Sequence, residues 1–328
     1  MERVRWGILG TGRIAEAFAT GLSALPDADL AAVGSRSAAA ADAFAGRFGA
    51  ARRHASYEAL AADPDVDIVY VATPHPLHHA NTRLCLEAGK AVICEKPFTL
   101  NAGQARDLVA LARERRVFLM EAMWTRYLPA VARARDLVAE GAIGEPRLLT
   151  ADFGFRMAPD PAHRLFDPAL GGGALLDIGV YLVSLSSMVF GPPTEIRSLA
   201  QIGPTGVDHA MALLLGHGEG RFAQLSASIS MPTPQTATLV GDAGWITLQS
   251  PWWKATTLTV AREGSEPETI DAPFLGNGYT HEAAEAMRCL RAGELESPGM
   301  PLDETIAVME TLDRVRAEWG LRYPSEQE

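Results

Sequence analysis

The run Gly7-Ile8-Leu9-Gly10-Thr11-Gly12-Arg13-Ile14-Ala15 constrains the fold of this chain more than any other stretch. It lies between a strand-like apolar segment, Val4–Leu9, and a helix-like one, 14–25. In that context the first glycine permits a tight turn, the second lets backbone approach a pyrophosphate, and Ala15 lets helix and strand pack closely. The helix N-terminus then presents free N–H groups to phosphate. A merely structural turn is the alternative; the strand–turn–helix context favours a dinucleotide site, with Gly10, Thr11, Gly12, Arg13 and Ile14 as candidate contacts.

The chain continues in the same rhythm to about residue 120. Strand-like runs at 30–34, 66–73, 91–94 and 117–120 alternate with helix-like segments at Ala38–Phe48, 76–88 and Ala102–Arg115. Short apolar runs separated by helices predict a parallel sheet with right-handed crossovers. The pattern then changes. Helices are expected at 129–140 and 174–190, followed by strands at 195–201, 210–215, 222–229, Ala237–Gly241, 245–248 and 257–261. Several of these alternate polar and apolar residues, as half-buried antiparallel strands do. Helices return at Tyr279–Ala292 and Leu302–Trp319. The expected division is 1–122 for nucleotide binding and 123–328 for substrate binding and dimerisation, with the last helix able to pack back on the first domain.

Composition narrows the function classes. With 328 residues, 48% hydrophobic and 21% charged, the chain is long and apolar enough for two cores. A net charge of −11 and pI of about 5.3 give no basic patch for nucleic acid or an anionic membrane surface. The longest apolar stretch, 178–190, contains serines and falls short of a bilayer span. Cys85, Cys94 and Cys289 lack metal-site spacing and read as buried thiols in a reducing compartment. No charged and apolar leader precedes the first strand, so a cytoplasmic location is expected.

The kind of dinucleotide is read after the second strand. An acidic residue ~20 residues beyond the glycines would bind a ribose 2′-hydroxyl. This chain has Gly34-Ser35-Arg36-Ser37 instead. Arg36 can stack on adenine and pair with a 2′-phosphate, with Ser35 and Ser37 adding hydroxyls. NADP is therefore expected over NAD, the alternative being a solvent-facing loop arginine.

Chemistry is expected where 91–94 runs into Glu95-Lys96-Pro97. Ligands of open parallel sheets bind outside the carboxyl ends of strands. A lysine there lies beside the nicotinamide, where cofactor charge and partial burial would lower its pKa. Only three lysines, Lys90, Lys96 and Lys254, occur among 29 basic residues, and arginine cannot give up its proton. Glu95 reads as a structural partner, and Pro97 shapes the turn, a position open to a cis bond. Thr73 and Pro74, where 66–73 ends, His78 at the entry of the next helix, and Glu95, Lys96 and Pro97 are further candidate cofactor contacts. His75, His78 and His79 have no nearby thiol or carboxylate to complete a metal site, so none is expected.

A second constellation is Gly171-Gly172-Gly173-Ala174-Leu175-Leu176-Asp177-Ile178-Gly179-Val180-Tyr181. Three glycines before a helix bring backbone close to something. Asp177 and Tyr181, four apart, share a helical face. A carboxylate and a phenol among Leu, Ile and Val are costly to bury unused; a capping aspartate and a core tyrosine are the alternative.

Taken together, Gly10-Thr11-Gly12-Arg13-Ile14-Ala15, Glu95-Lys96-Pro97 and Gly172-Gly173-x-x-x-Asp177-x-Gly179-x-Tyr181 resemble the glucose–fructose oxidoreductase / inositol dehydrogenase (Gfo/Idh/MocA) family over essentially the whole chain. Glu121-Ala122-Met123-Trp124-Thr125-Arg126-Tyr127 and His163-Arg164-Leu165-Phe166 most resemble its dihydrodiol dehydrogenase and NADP-dependent xylose dehydrogenase branch. The resemblance implies an α/β protein: an N-terminal Rossmann doubly wound parallel sheet, then an α/β domain with a large, mostly antiparallel sheet. It also implies hydride transfer at a carbinol or carbonyl carbon of a sugar or cyclic diol, with Lys96, Asp177 and Tyr181 at the catalytic positions. Inositol-dehydrogenase-like members carry histidine where this chain has Tyr181, which turns the reading away from inositols and towards tyrosine as acid/base. Lys96 would donate a hydrogen bond and favour the phenolate, Asp177 would orient substrate or Lys96, and Trp124, Arg126 and His163 would line the pocket. The same scaffold also serves non-catalytic dinucleotide sensors, the alternative function. Trp252-Trp253 is the expected anchor of a homodimer formed through the open sheet face, the alternative being ordinary core packing.

Overall fold

The computed structural model describes residues 3–326, which form two units: Met1–Trp124 with Leu275–Ile306, and Thr125–Phe274 with Ala307–Glu328. The first unit begins β1 (Val4–Leu9), α1 (Arg13–Leu22), β2 (Ala28–Gly34), α2 (Ala38–Phe48), β3 (Arg52–His54), α3 (Tyr57–Ala61), β4 (Ile68–Val71), α4 (His78–Glu87), β5 (Ala91–Glu95), α5 (Ala102–Arg115) and β6 (Leu119–Ala122). All six strands pair in parallel, in the order β3-β2-β1-β4-β5-β6. The strand order reverses between β1 and β4, and ligands of such sheets bind outside the strand ends at that point. Every residue of β4 and β5 is buried, which is why both read as unbroken apolar runs. The sequence pattern does not reveal β3 and α3. Arg52-Arg53-His54 is a polar edge strand paired only to β2, so it needs no apolar signature.

The second unit contains α6 (Pro129–Ala139), β7 (Pro146–Gly154), α7 (Val180–Phe190), β8 (Glu195–Ile202), β9 (Asp208–Gly216), β10 (Phe222–Ser228), β11 (Ala237–Gly241), β12 (Gly244–Leu248), β13 (Thr257–Arg262) and β14 (Glu268–Asp271). Its eight strands run β14-β13-β12-β11-β7-β10-β9-β8, antiparallel except where β7 meets β10. The strand reading omits β7, although it sits inside the sheet. Leu149, Ala151 and Phe153 point into the core, but Pro146, Arg147 and Asp152 interrupt the signal. Helices α6 and α7 pack on one face of the sheet.

Residues Pro168–Phe190 are apolar and long enough, by length and composition, to cross a membrane, in contrast to the shorter 178–190 stretch. Their apolar window is 89% buried within the protein, as a core helix requires.

The division differs from the expected 1–122 and 123–328, because α8 (Tyr279–Ala292) belongs to the first unit. Gly21 of α1 makes this packing close: a Cβ there would lie 2.7 Å from Asn277 Oδ1 and 3.0 Å from Thr280 N. Asn277 Nδ2 donates to Ala17 O at 2.7 Å, Thr280 Oγ1 donates to Gly21 O at 3.0 Å, and Arg291 pairs with Asp27. The returning helix is the penultimate one; the last, α9 (Leu302–Trp319), lies largely in the second unit.

Trp252 is not the expected surface anchor. It is fully buried and its Nε1 donates to Asp152 O at 2.9 Å. Trp253 stacks on Phe153 with ring centroids 4.8 Å apart.

Candidate functional site

In the first unit, β1 delivers the chain to Gly10, whose φ of +111° suits glycine. A Cβ at Gly10 would approach Ala72 O to 2.7 Å, so the glycine lets the ends of β1 and β4 lie against each other. Gly12 differs: nothing lies within 4 Å of the Cβ position, and the residue is exposed. It also caps α1 without a side-chain acceptor. The first turn of α1, including Arg13 and Ile14, therefore faces an open cradle with the polarity that phosphate requires. Thr11 is half-buried beside it and Ala15 is buried in the core.

At the end of β2 the carboxylate of an NAD-type ribose site is replaced by buried Ser35 and exposed Arg36. Ser35 Oγ accepts from Ser37 N at 3.3 Å. Ser37 caps α2 by accepting from Ala40 N, so its hydroxyl has a structural task the sequence reading did not assign.

The ends of β4 and β5 are strapped together by His78. Its Nε2 lies 2.8 Å from Thr73 O and its Nδ1 2.8 Å from Pro97 O. Both carbonyls are acceptors, so a neutral ring satisfies only one of them. Burial, with the Lys96 charge, pushes the imidazole down, while the carbonyls of Pro97 and Thr73 pull it up; the net direction is down. Thr73 Oγ1 also accepts from Asn81 at 3.1 Å, whereas Pro74 is exposed. Lys96 is half-exposed and joined to Pro97 by a cis peptide bond. Its backbone N–H donates to Glu95 Oε2 at 3.1 Å, and Glu95 Oε1 accepts from Tyr70 OH. Glu95 is thus tied to Tyr70 and to the backbone of its own neighbour. Two groups absent from the sequence reading lie on α8: Tyr279 stacks on Trp124 at 4.4 Å, and burial, with the Glu95 charge, pushes the carboxyl of buried Glu282 well up.

In the second unit, Leu175–Gly179 forms a π-helical turn that leads into α7. Such turns are frequent at functional sites, and this one carries Asp177, with Tyr181 in the first turn of α7. Tyr181 is almost buried and meets the edge of Phe153 at 5.6 Å. Asp177, 4% exposed, accepts from Arg164 Nη1 at 2.7 Å. Arg164 is thus the residue of the His163-Arg164 pair that reaches the carboxylate. His163 instead shapes the local turn, its Nδ1 accepting from Leu165 N at 3.2 Å. Arg126, expected along the pocket, is buried and braces α7: its Nε donates to Ser184 Oγ and its Nη2 to Ser184 O.

The glycines preceding this turn face protein. A Cβ on Gly172 would sit 2.7 Å from Leu165 O and 2.8 Å from Arg164 O, and one on Gly173 would collide with Asp208 Oδ1.

Comparison with known proteins agrees with both units. The description "Oxidoreductase family, NAD-binding Rossmann fold" matches residues 4–123, and "GFO/IDH/MocA C-terminal domain" matches 131–247. The chain belongs to the Gfo/Idh/MocA oxidoreductase family. It is accordingly an enzyme of the NAD(P)-dependent dehydrogenase class. Among family members, it is 40% identical over 336 residues to trans-1,2-dihydrobenzene-1,2-diol dehydrogenase of Mus musculus, covering 99% of each chain. A crystal structure of KijD10, a 3-ketoreductase from Actinomadura kijaniata, in complex with NADP and TDP-benzene, aligns with a TM-score of 0.85 at 28% identity. It covers 96% of this chain and 98% of that one. Levoglucosan dehydrogenase in complex with NADH shares the fold, with a TM-score of 0.90 at 20% identity over 97% of each chain. The residues at the open Gly12 cradle and the bare first turn of α1 fit the dinucleotide this family takes.

Proposed function

We propose that this protein is an NADP-dependent oxidoreductase acting on a carbinol or carbonyl carbon of a sugar or cyclic diol. The observation that carries the reading is Tyr181: a nearly buried phenol one helical turn from a carboxylate that is itself held by Arg164. The full-length similarity to dihydrodiol dehydrogenases supports the substrate class.

When bound, the nicotinamide accepts or supplies the hydride. The backbone at Gly10, Thr11, Gly12, Arg13 and Ile14 would hold the pyrophosphate, and Arg36 with Ser35 would hold the 2′-phosphate. Tyr181 takes the hydroxyl proton in oxidation and returns it in reduction, while the Lys96 amine donates a hydrogen bond to the reacting oxygen. Asp177, fixed by Arg164, orients a neighbouring substrate hydroxyl. Trp124 and His163 shape the substrate's surroundings, and Arg126 acts through α7.

The test is a screen of NADP-linked oxidation across aldoses, inositols and cyclic diols. Tyr181→Phe and Lys96→Met are each expected to lower kcat by about 100-fold or more; unchanged turnover in either sinks the scheme. Arg36→Ala is expected to abolish the preference for NADP over NAD, read as the ratio of kcat/KM values.

We also propose a homodimer formed through the open face of the eight-stranded sheet. Phe222, Leu148, Val240 and Trp245 are successive cross-strand partners on β10, β7, β11 and β12, and form an apolar row on that face. Leu214 on β9 and Leu199 on β8, 48% and 77% exposed, lie beside that row. The working compartment is proposed to be the cytoplasm, since Cys85, Cys94 and Cys289 are free and buried. Burial raises all three thiols, that of Cys85 to about 12.

A further inference from the structure

Asp208 opens β9, far from the glycine run in sequence, and is completely buried. Its Oδ2 accepts from Leu175 N at 2.7 Å, at the start of the turn that carries Asp177 and leads to Tyr181. Its Oδ1 has no hydrogen-bond partner and lies against Gly173, where any side chain would collide with it. Tyr323 OH secures the same segment by donating to Gly172 O at 2.7 Å. The run Gly172-Gly173 therefore exists to admit a carboxyl and carbonyls of the protein itself.

Resting on the function proposed above, we propose that Asp208 is a positioning residue for catalysis: by holding the first amide of the Leu175–Gly179 turn, it sets where Tyr181 and Asp177 stand.

The anchor is also sensitive to pH. Burial pushes the Asp208 carboxyl up to about 7, against the pull of the Leu175 amide and the Arg316 charge. The charged groups around it are few. Arg316 on α9 is shared with Asp313 and Glu326, and Tyr323 is held in its protonated form by burial and by the Asp208 charge. Asp177 and Arg164 pair with each other, and His209, next along β9, is pushed down by burial. An ionised acceptor binds an N–H more strongly than a neutral one, so Asp208 grips the turn more firmly above neutrality.

The test uses the full-length protein with two readouts. The first is amide hydrogen exchange of residues 174–181, corrected for intrinsic rates. Protection in the parent, taken relative to the amides of β10 so that the global change in stability cancels, is expected to rise about 10-fold as pH climbs through 7, and to be flat in Asp208→Asn, which keeps an acceptor and the shape. The second is kcat: the parent is expected to show an inflection near pH 7 that Asp208→Asn loses, with KM changing less than about 3-fold. Asp208→Ala is expected to lower kcat about 10-fold further than Asp208→Asn. Identical protection and identical kcat profiles in parent and Asp208→Asn overturn the proposal. A pH-dependent protection step in a protein that oxidises nothing in the panel removes the enzymatic scheme and the catalytic role of Asp208 with it, leaving only a structural anchor. Full turnover dependent on Tyr181 but indifferent to residue 208 removes the anchor alone.

Discussion

Gly10 and Asp208 show how single residues set the local geometry within each unit. Alanine at 10 would have to adopt a left-handed backbone and push Ala72 O away from 2.7 Å. Gly10→Ala is expected to lose about 1–3 kcal/mol in chemical denaturation and to weaken NADP binding in titration. At Asp208 the sign is opposite. Its folded pKa is raised from 3.8 to about 7, so the fold favours the neutral acid. That contribution is fully present below pH about 4 and lost as pH rises through about 7. Asp208→Asn is therefore expected to gain stability over the parent as pH rises across that window, by on the order of a few kcal/mol, measured by thermal melts at pH 5 and 8. A variant that is more stable yet slower is the pattern a buried functional carboxyl leaves.

At the level of elements, the chain discloses what burial makes apolar and conceals what neighbours make polar. Strands β1, β4 and β5 are legible because packed helices leave their residues no water to face. The turn at Gly10 and the lysine after β5 are legible because their positions follow from those strands. β7 is not, because three polar or helix-breaking residues interrupt its inward alternation. Arg164 and Asp208 are not, because each finds its partner, Asp177 or Leu175, only through tertiary folding. The membership of α8 in the first unit is hidden for the same reason: small Gly21 and polar Asn277 and Thr280 carry no signature of pairing. Thr280 is buried and its hydroxyl satisfies Gly21 O. Thr280→Val is expected to cost about 1 kcal/mol by removing one of the two hydrogen bonds Gly21 O accepts, the other coming from Ala24 N, read as a lower denaturation midpoint with nearly unchanged slope.

For the molecule as a whole, the apolar row across β10, β7, β11 and β12 is the surface proposed for the dimer. Exposed side chains of this size in contiguous rows mark interaction surfaces. Leu214→Glu combined with Phe222→Glu is expected to convert a dimer to a monomer at micromolar concentration in multi-angle light scattering. Retention of the dimer in that variant would place the interface elsewhere.

The return of α8 has a consequence for biosynthesis. Leu119 N–H finds its acceptor in Leu295 O, and Trp124 finds its stacking partner in Tyr279. The sheet of β1 to β6 is thus finished by residues translated only after every strand of the second unit. Until then the flank of α1 around Ala17 and Gly21 stands bare, and a gene fragment ending at residue 124 encodes a sheet that lacks one of its own walls.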